Sequence, residues 1–203
     1  MDWQCRVLDF QQRGLVLSTY AKLKQFGFSL TEMLVAILII GILAAVAVPN
    51  FRTWMINSQI RNAAESISNG LQRARAEAVA RNTNVAFSLS MAAPQDSSWY
   101  VYTVTPASGI DSRLSNEGST AVSLTVTPTG STTVTFNNFG NALLTNPGAT
   151  VPATGAAVPA TPFTTVGVNA AGGSKNLQVE ILIPSNIIKM CDPAAASTSP
   201  SSC

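Results

Sequence analysis

Glu32 is the only charged residue between Phe28 and Val48, a run of 21 otherwise apolar, small or hydroxyl residues. A helix that crosses a bilayer needs about 20 mostly apolar residues. A central acid costs such a helix about 2.5–3.5 kcal/mol on insertion scales. A carboxylate placed there needs a partner. A cut after Gly27 would supply one, because Phe28 would become the N-terminus with its ammonium about one helical turn from Glu32.

Catalysis by the chain itself lacks its usual parts. There is no His, the commonest general base and a member of the usual Ser and Cys triads. The acids of the C-terminal part show no paired spacing. Of three cysteines, Cys5 precedes the cut, leaving Cys191 and Cys203. In an oxidising compartment their pairing would close a loop of about a dozen residues and contribute roughly 2–3 kcal/mol in the chain-entropy model. That disulfide is preferred to two free thiols. Two cysteines without His make a poor zinc set, so neither a metal nor a cofactor is expected.

Gly27, Phe28, Ser29-Leu30-Thr31 and Glu32, followed by an apolar helix, resemble the processing site of type IV pilins and their relatives. The resemblance covers about a quarter of the chain closely. It implies a prepilin, cut after Gly27 and N-methylated at Phe28 by a prepilin peptidase, held in the inner membrane and then built into a filament. The family's helix-weakening Gly and Pro correspond to Gly41 and Pro49, where the helix would unwind locally as subunits pack. Glu32 would meet the terminal amine of Phe28, on a neighbouring subunit or first on its own chain, and so help select axial register.

Two simpler readings explain less. A secretory signal puts its apolar region before the cleavage site, whereas here it follows. An ordinary single-span anchor has no need of Glu32. Lys22 and Lys24 precede the span and Arg52 is the first cation after it, so the leader faces the cytoplasm and the rest the periplasm. Four of the 12 basic and two of the 10 acidic residues lie before Phe28, leaving the mature side chains neutral. A basic isoelectric point that belongs to a removed leader is no pointer to nucleic acid. A leader of 27 residues is long for the family, and Leu15 and Val16 are alternative start positions.

The elements that carry these residues follow from periodicity. Ile60, Ala64, Ile67, Leu71, Ala74 and Ala78 recur in steps of four and three, one face of a helix. One helix from Phe28 to Arg81 would run roughly 80 Å, its first half spanning and its second lying on a globular head, with a kink or local melting at Pro49. Arg61, Arg73, Arg75 and Arg81 fall off the buried stripe. Arg73, Arg75 and Arg81 are better read as a solvated face, with Glu77 four residues from Arg73 and Arg81, than as a DNA contact.

From Val85 the period becomes two. Strands are expected at 85–89, 99–104, 121–126, 132–137, 164–169, 177–184 and 187–190, forming an antiparallel sheet with one buried face. Residues 145–162, rich in Pro, Ala, Gly and Thr, read as an exposed loop. The expected fold is α+β: a leader (1–27), a transmembrane and amphipathic helix (28–82) and an antiparallel β head (83–203).

That order resembles the FimT/FimU minor pilins and the GspH pseudopilins of type II secretion, with Phe136-Asn137-Asn138-Phe139-Gly140 and Cys191-Asp192-Pro193 resembling this branch. Some members carry Gly-Arg-x-Arg near the terminal Cys, linked to DNA binding in transformation. Here the positions read Asn186-Ile187-Ile188-Lys189. One ammonium without a guanidinium fork replaces a phosphate-gripping pair, with Lys175 as a second weak nucleic-acid contact. The resemblance implies a minor type IV pilin that primes or joins a pilus. The alternatives are a GspH-like secretion pseudopilin and a DNA-binding pilin. Implied partners are the prepilin peptidase, other minor and major pilins, and the inner-membrane assembly platform.

Overall fold

The computed structural model describes residues 28–90, 96–148, 150–183 and 185–203. Helix α1 runs from Leu30 to Arg81. It ends where the local chemistry changes: Asn82 takes the left-handed conformation (φ 51°), and Thr83 N donates back to Ala78 O at 3.2 Å. This is the Schellman arrangement, with Asn in the position usually held by Gly. The chain divides into two compact units between Leu43 and Ala44, inside this helix.

In the second unit, α1 buries the expected stripe. Ile60, Ala64, Ile67, Leu71, Ala74 and Ala78 are fully buried. Ala63, Ser66 and Gly70 widen that face beyond what the apolar pattern marks. On the opposite side Glu77 pairs with Arg73 at 3.1 Å and Arg81 at 2.7 Å. The hydrogen bond from Arg81 holds the Glu77 carboxyl below its ordinary range, and Arg73 adds to it.

The β chain makes two four-stranded sheets rather than one. The first contains β1 (Val85–Leu89), β2 (Trp99–Val104), β3 (Ala107–Arg113) and β5 (Thr133–Phe136), in the order β3-β2-β1-β5. The second contains β4 (Val122–Thr127), β6 (Thr165–Ala170), β7 (Leu177–Leu182) and β8 (Ile187–Cys191), in the order β4-β6-β7-β8. Every strand pair is antiparallel. Period-two patterning assigns faces but not neighbours, and β4 pairs across to β6 instead of with β5. Strand β3 is absent from the sequence expectation. It is an edge strand whose only large apolar residue is Ile110, so it carries no alternation to read.

One core joins the helix stripe to Val85, Phe87, Trp99, Val101, Val134 and Phe136 of the first sheet. Leu124, Val166, Val168 and Val179 of the second sheet complete it. The outer face of the first sheet is covered too: Ala86 and Tyr102 pack with Val151, and Val158 lies against them. This corrects the expectation for 145–162, which is not simply an exposed loop. Asn146 fastens the segment, donating from Nδ2 to Thr133 O and Pro159 O at 2.9 Å each and accepting at Oδ1 from Thr135 Oγ1 at 3.1 Å. A composition rich in Pro and Ala hides the single valine that plugs the sheet. Burial pushes the Tyr102 phenol up to about 12, the Thr133 hydroxyl offsetting part of the rise.

Candidate assembly segment and its processing site

Ser29 starts α1. Its Oγ accepts from Glu32 N at 3.1 Å while its carbonyl accepts from Met33 N at 3.1 Å. Ser29 is therefore the N-cap and Glu32 the third helical residue, the Ser-x-x-Glu spacing of a capping box. The Ser29-to-Glu32 spacing makes this cap legible in the sequence. The carboxylate of Glu32 stands in the first turn, where the helix dipole favours an anion. Phe28 precedes the helix with its ring exposed. Gly27 and the expected leader, Cys5 included, lie outside the described residues.

Beyond Glu32 the helix is apolar on every side, and large side chains from Met33 to Val48 are at least about half exposed. Such a surface is stable in lipid or against other apolar helices, not in water. Gly41 has no neighbour that an added Cβ would meet. Of the expected kink or local melting at Pro49, melting is not seen: α1 continues through it as helix. Asn50 Nδ2 donates to Val46 O at 3.1 Å and Thr53 Oγ1 to Pro49 O at 3.3 Å. Pro49 cannot donate to Ala45 O as a regular helical residue would, and these side-chain bonds fall on other carbonyls.

At the other end of the chain Cys191 and Cys203 are joined by a disulfide. It closes the C-terminal loop onto β8, where Asp192 N donates to Ser201 O at 2.7 Å. Lys189 Nζ donates to Ser202 O at 2.6 Å, so the ammonium is engaged by the loop. Lys175 is exposed in the turn before β7, its backbone N held by Asn57 Oδ1 at 3.2 Å. Asn186 adopts the left-handed conformation (φ 55°). It ties three elements together: its carbonyl accepts from Arg75 Nη1 at 3.1 Å, its Oδ1 accepts from Ala142 N at 2.8 Å, and its Nδ2 donates to Asn141 Oδ1 at 3.1 Å. Arg75 is exposed, on the helix face read as solvated, and this bond also ties it to the turn before β8.

Comparison with known proteins adds an independent line. A family model described as type II transport protein GspH matches residues 63–182, more than half of the chain. A model of the prokaryotic N-terminal methylation motif matches residues 22–48. Two fimbrial proteins of Pseudomonas aeruginosa are each 32% identical over 75 residues, 37% of this chain and 46% of the relative. The chain thus spans about half the length of the curated relatives it matches. Among solved structures, the type IV minor pilin FimU of Pseudomonas aeruginosa aligns at 16% identity and a TM-score of 0.46, over 68% of this chain and 98% of that one. The minor pseudopilin EpsH of the Vibrio cholerae type 2 secretion system aligns at 11% identity and a TM-score of 0.45, over 68% and 99%.

Proposed function

The chain belongs to the family of type II transport protein GspH and carries the N-terminal methylation motif, and from that premise we propose that it is a minor type IV pilin. In this reading prepilin peptidase cuts after Gly27 and methylates the new Phe28 amine. The helix holds the chain in the inner membrane with its head in the periplasm. The assembly platform then moves it into a filament with other minor and major pilins, where it joins the structure or primes it. Its work is structural rather than catalytic. The observation that carries the reading is Glu32, a lone carboxylate in the capped first turn of a helix whose apolar surface is otherwise exposed. A buried anion next to a bundle of apolar helices is strongly disfavoured until a cation meets it. The methylated amine of Phe28 is the cation within reach.

The test is mass spectrometry of sheared surface filaments, searching for the methylated peptide that begins at Phe28, with a second minor pilin as sensitivity control. Its presence is expected. A second reading, a pseudopilin of type II secretion, is favoured by the family model itself. It predicts that the control appears in the sheared material while this chain stays with the cell envelope.

A further inference from the structure

The segment 145–162, which covers the outer face of the first sheet, contains a repeat. Val-Pro-Ala-Thr occurs at residues 151–154 and again at 158–161. The fold gives both copies the same disposition. Val151 is buried and Val158 partly buried against the cluster of Ala86 and Tyr102, whereas Thr154 and Thr161 are exposed. The backbone that carries them is fixed. Val151 N donates to Ala156 O and Gly155 N to Val151 O, each at 2.8 Å, and Asn146 N donates to Ala160 O at 2.8 Å. Each valine anchors the chain and presents a threonine three residues on. Packing explains the repeated valine but places no demand on the exposed threonine.

Hydroxyl residues interleaved with proline at this density are the composition of segments that carry O-linked sugars. A glycan is bulky and solubilising, and it needs a surface position. The surroundings suit an uncharged group and not a charged one. No Asp, Glu, Lys or Arg occurs between Glu117 and Lys175, so this part of the chain draws no hydration from charge. Beside Thr154 a cleft of about 410 Å³ opens between the segment, the end of β1 and the start of β5, lined also by Ser88, Thr132 and Pro159. Hydroxyls offer a sugar both donors and acceptors, and no cation lines the cleft. A second cleft brings Asp111 beside Pro152 and Ala153. A phosphate on Thr154 would therefore have an anion as its charged neighbour and no guanidinium to receive it. Thr154 Oγ1 accepts from Ala156 N at 3.3 Å, a bond that leaves its own proton free to depart.

We propose that Thr154 and Thr161 are O-glycosylation sites, with the first sugar on Thr154 lying in the hydroxyl-lined cleft. The donor is a neutral sugar activated as its diphosphate ester, and the enzyme is a separate glycosyltransferase. The threonine Oγ1 attacks the anomeric carbon and forms the new C–O bond. The bond from that carbon to the diphosphate oxygen breaks, the diphosphate leaves with the electron pair, and the hydroxyl proton passes to a base of the transferase. The inference rests on export of the head, as in the function proposed above.

The test is mass spectrometry of the full chain purified from the cells that naturally produce it. Chymotryptic cleavage after Leu144 and Phe163 releases residues 145–163 as one peptide. Electron-transfer fragmentation is expected to place hexose or N-acetylhexosamine masses on Thr154 and Thr161 in most copies. The Thr154→Val/Thr161→Val chain is expected to lose those masses and to unfold at an unchanged midpoint, since valine keeps the branched shape at two exposed positions. The same digest reports the N-terminus. Bare threonines beside a methylated Phe28 overturn the glycan and leave the pilin reading standing. Bare threonines in a chain not cut after Gly27 overturn both. Sugars on both threonines of an uncut chain uphold the sites and overturn the pilin reading. A phosphate mass in place of sugar, sugars confined to other residues, or sugars that the double variant keeps overturn the proposal.

Discussion

The indole Nε1 of Trp99 donates to Ser66 Oγ at 2.8 Å, a buried bond that fastens β2 to the centre of α1. Ser66→Ala removes the acceptor and leaves the N–H inside the core. The expected cost is about 1–3 kcal/mol, the desolvation penalty of an unpaired buried donor. Urea unfolding of the full chain in detergent checks it as a lower midpoint at unchanged slope. With Trp99→Phe already present, adding Ser66→Ala should cost little further, since no donor remains to be orphaned. An unchanged midpoint for Ser66→Ala alone would mean that the indole has a second acceptor.

Gly70 opposes two effects of similar size. Alanine there would improve helix propensity by about 1 kcal/mol. Its Cβ would also stand 2.6 Å from Phe87 Cε2 and 3.1 Å from two atoms of the Trp99 ring. Overpacking a filled core costs about 1–3 kcal/mol, and both rings are buried. Gly70→Ala should therefore destabilise the head despite strengthening the helix. Gly41→Ala is the control, because nothing lies within 4 Å of its added Cβ. Thermal unfolding should be lowered by the first substitution and not by the second.

The disulfide of Cys191 with Cys203, 12 residues apart, holds the loop that also receives the Lys189 ammonium at Ser202 O. Replacing both cysteines by serine should cost about 2–3 kcal/mol by the chain-entropy account. It should also raise amide exchange and protease cleavage in residues 192–203 well before the core is affected. Equal loss of protection in β1 and the tail would show that the loop is part of the cooperative core instead.

The parts legible in the sequence were those where a periodic pattern coincides with burial. The stripe from Ile60 to Ala78 and the alternation of Val122-Ser123-Leu124-Thr125-Val126 each name a face, and both faces are buried as read. Glu32 stood out because a charge inside an apolar run is costly. What escaped notice depends on partners distant in sequence. Ser66 and Gly70 look like interruptions of the stripe until Trp99 and Phe87 arrive opposite them. Val151 is one of two valines in a stretch of Pro, Ala, Gly and Thr until Tyr102 and Ala86 give it a surface to cover. The division into two sheets is a matter of which strands pair, and periodicity carries no information on that.

Tyr102 makes alkaline stability a test of packing. Its neutral phenol is favoured by burial, with the folded value raised from 10.0 to about 12. Between those values the unfolded chain releases a proton that the folded chain keeps, so unfolding gains from rising pH. The stabilisation is fully present below pH 10 and falls away as pH rises toward 12. Tyr102→Phe should remove this component and flatten the stability profile over that window. An identical alkaline slope in the variant would place the titrating group elsewhere.

Under the proposed function, Glu32 is expected to separate processing from assembly. Its backbone N is held by Ser29 Oγ and its carboxylate has no role in the cap among the described contacts. Glu32→Ala therefore leaves the helix start intact, and cleavage after Gly27 should proceed as in the wild type. Incorporation should fail because the amine of Phe28 then enters an apolar bundle without its anion, and an uncompensated buried charge costs about 3–5 kcal/mol. At that cost the assembled fraction drops by a factor of roughly hundreds to thousands. Ser29→Ala is the informative companion: it weakens the cap by about 1 kcal/mol but keeps the carboxylate, so it should assemble nearly normally. Immunoblots of envelope and sheared filaments, alongside the mass of the processed N-terminus, measure both steps in one preparation. Normal incorporation of Glu32→Ala would sink the pairing with Phe28.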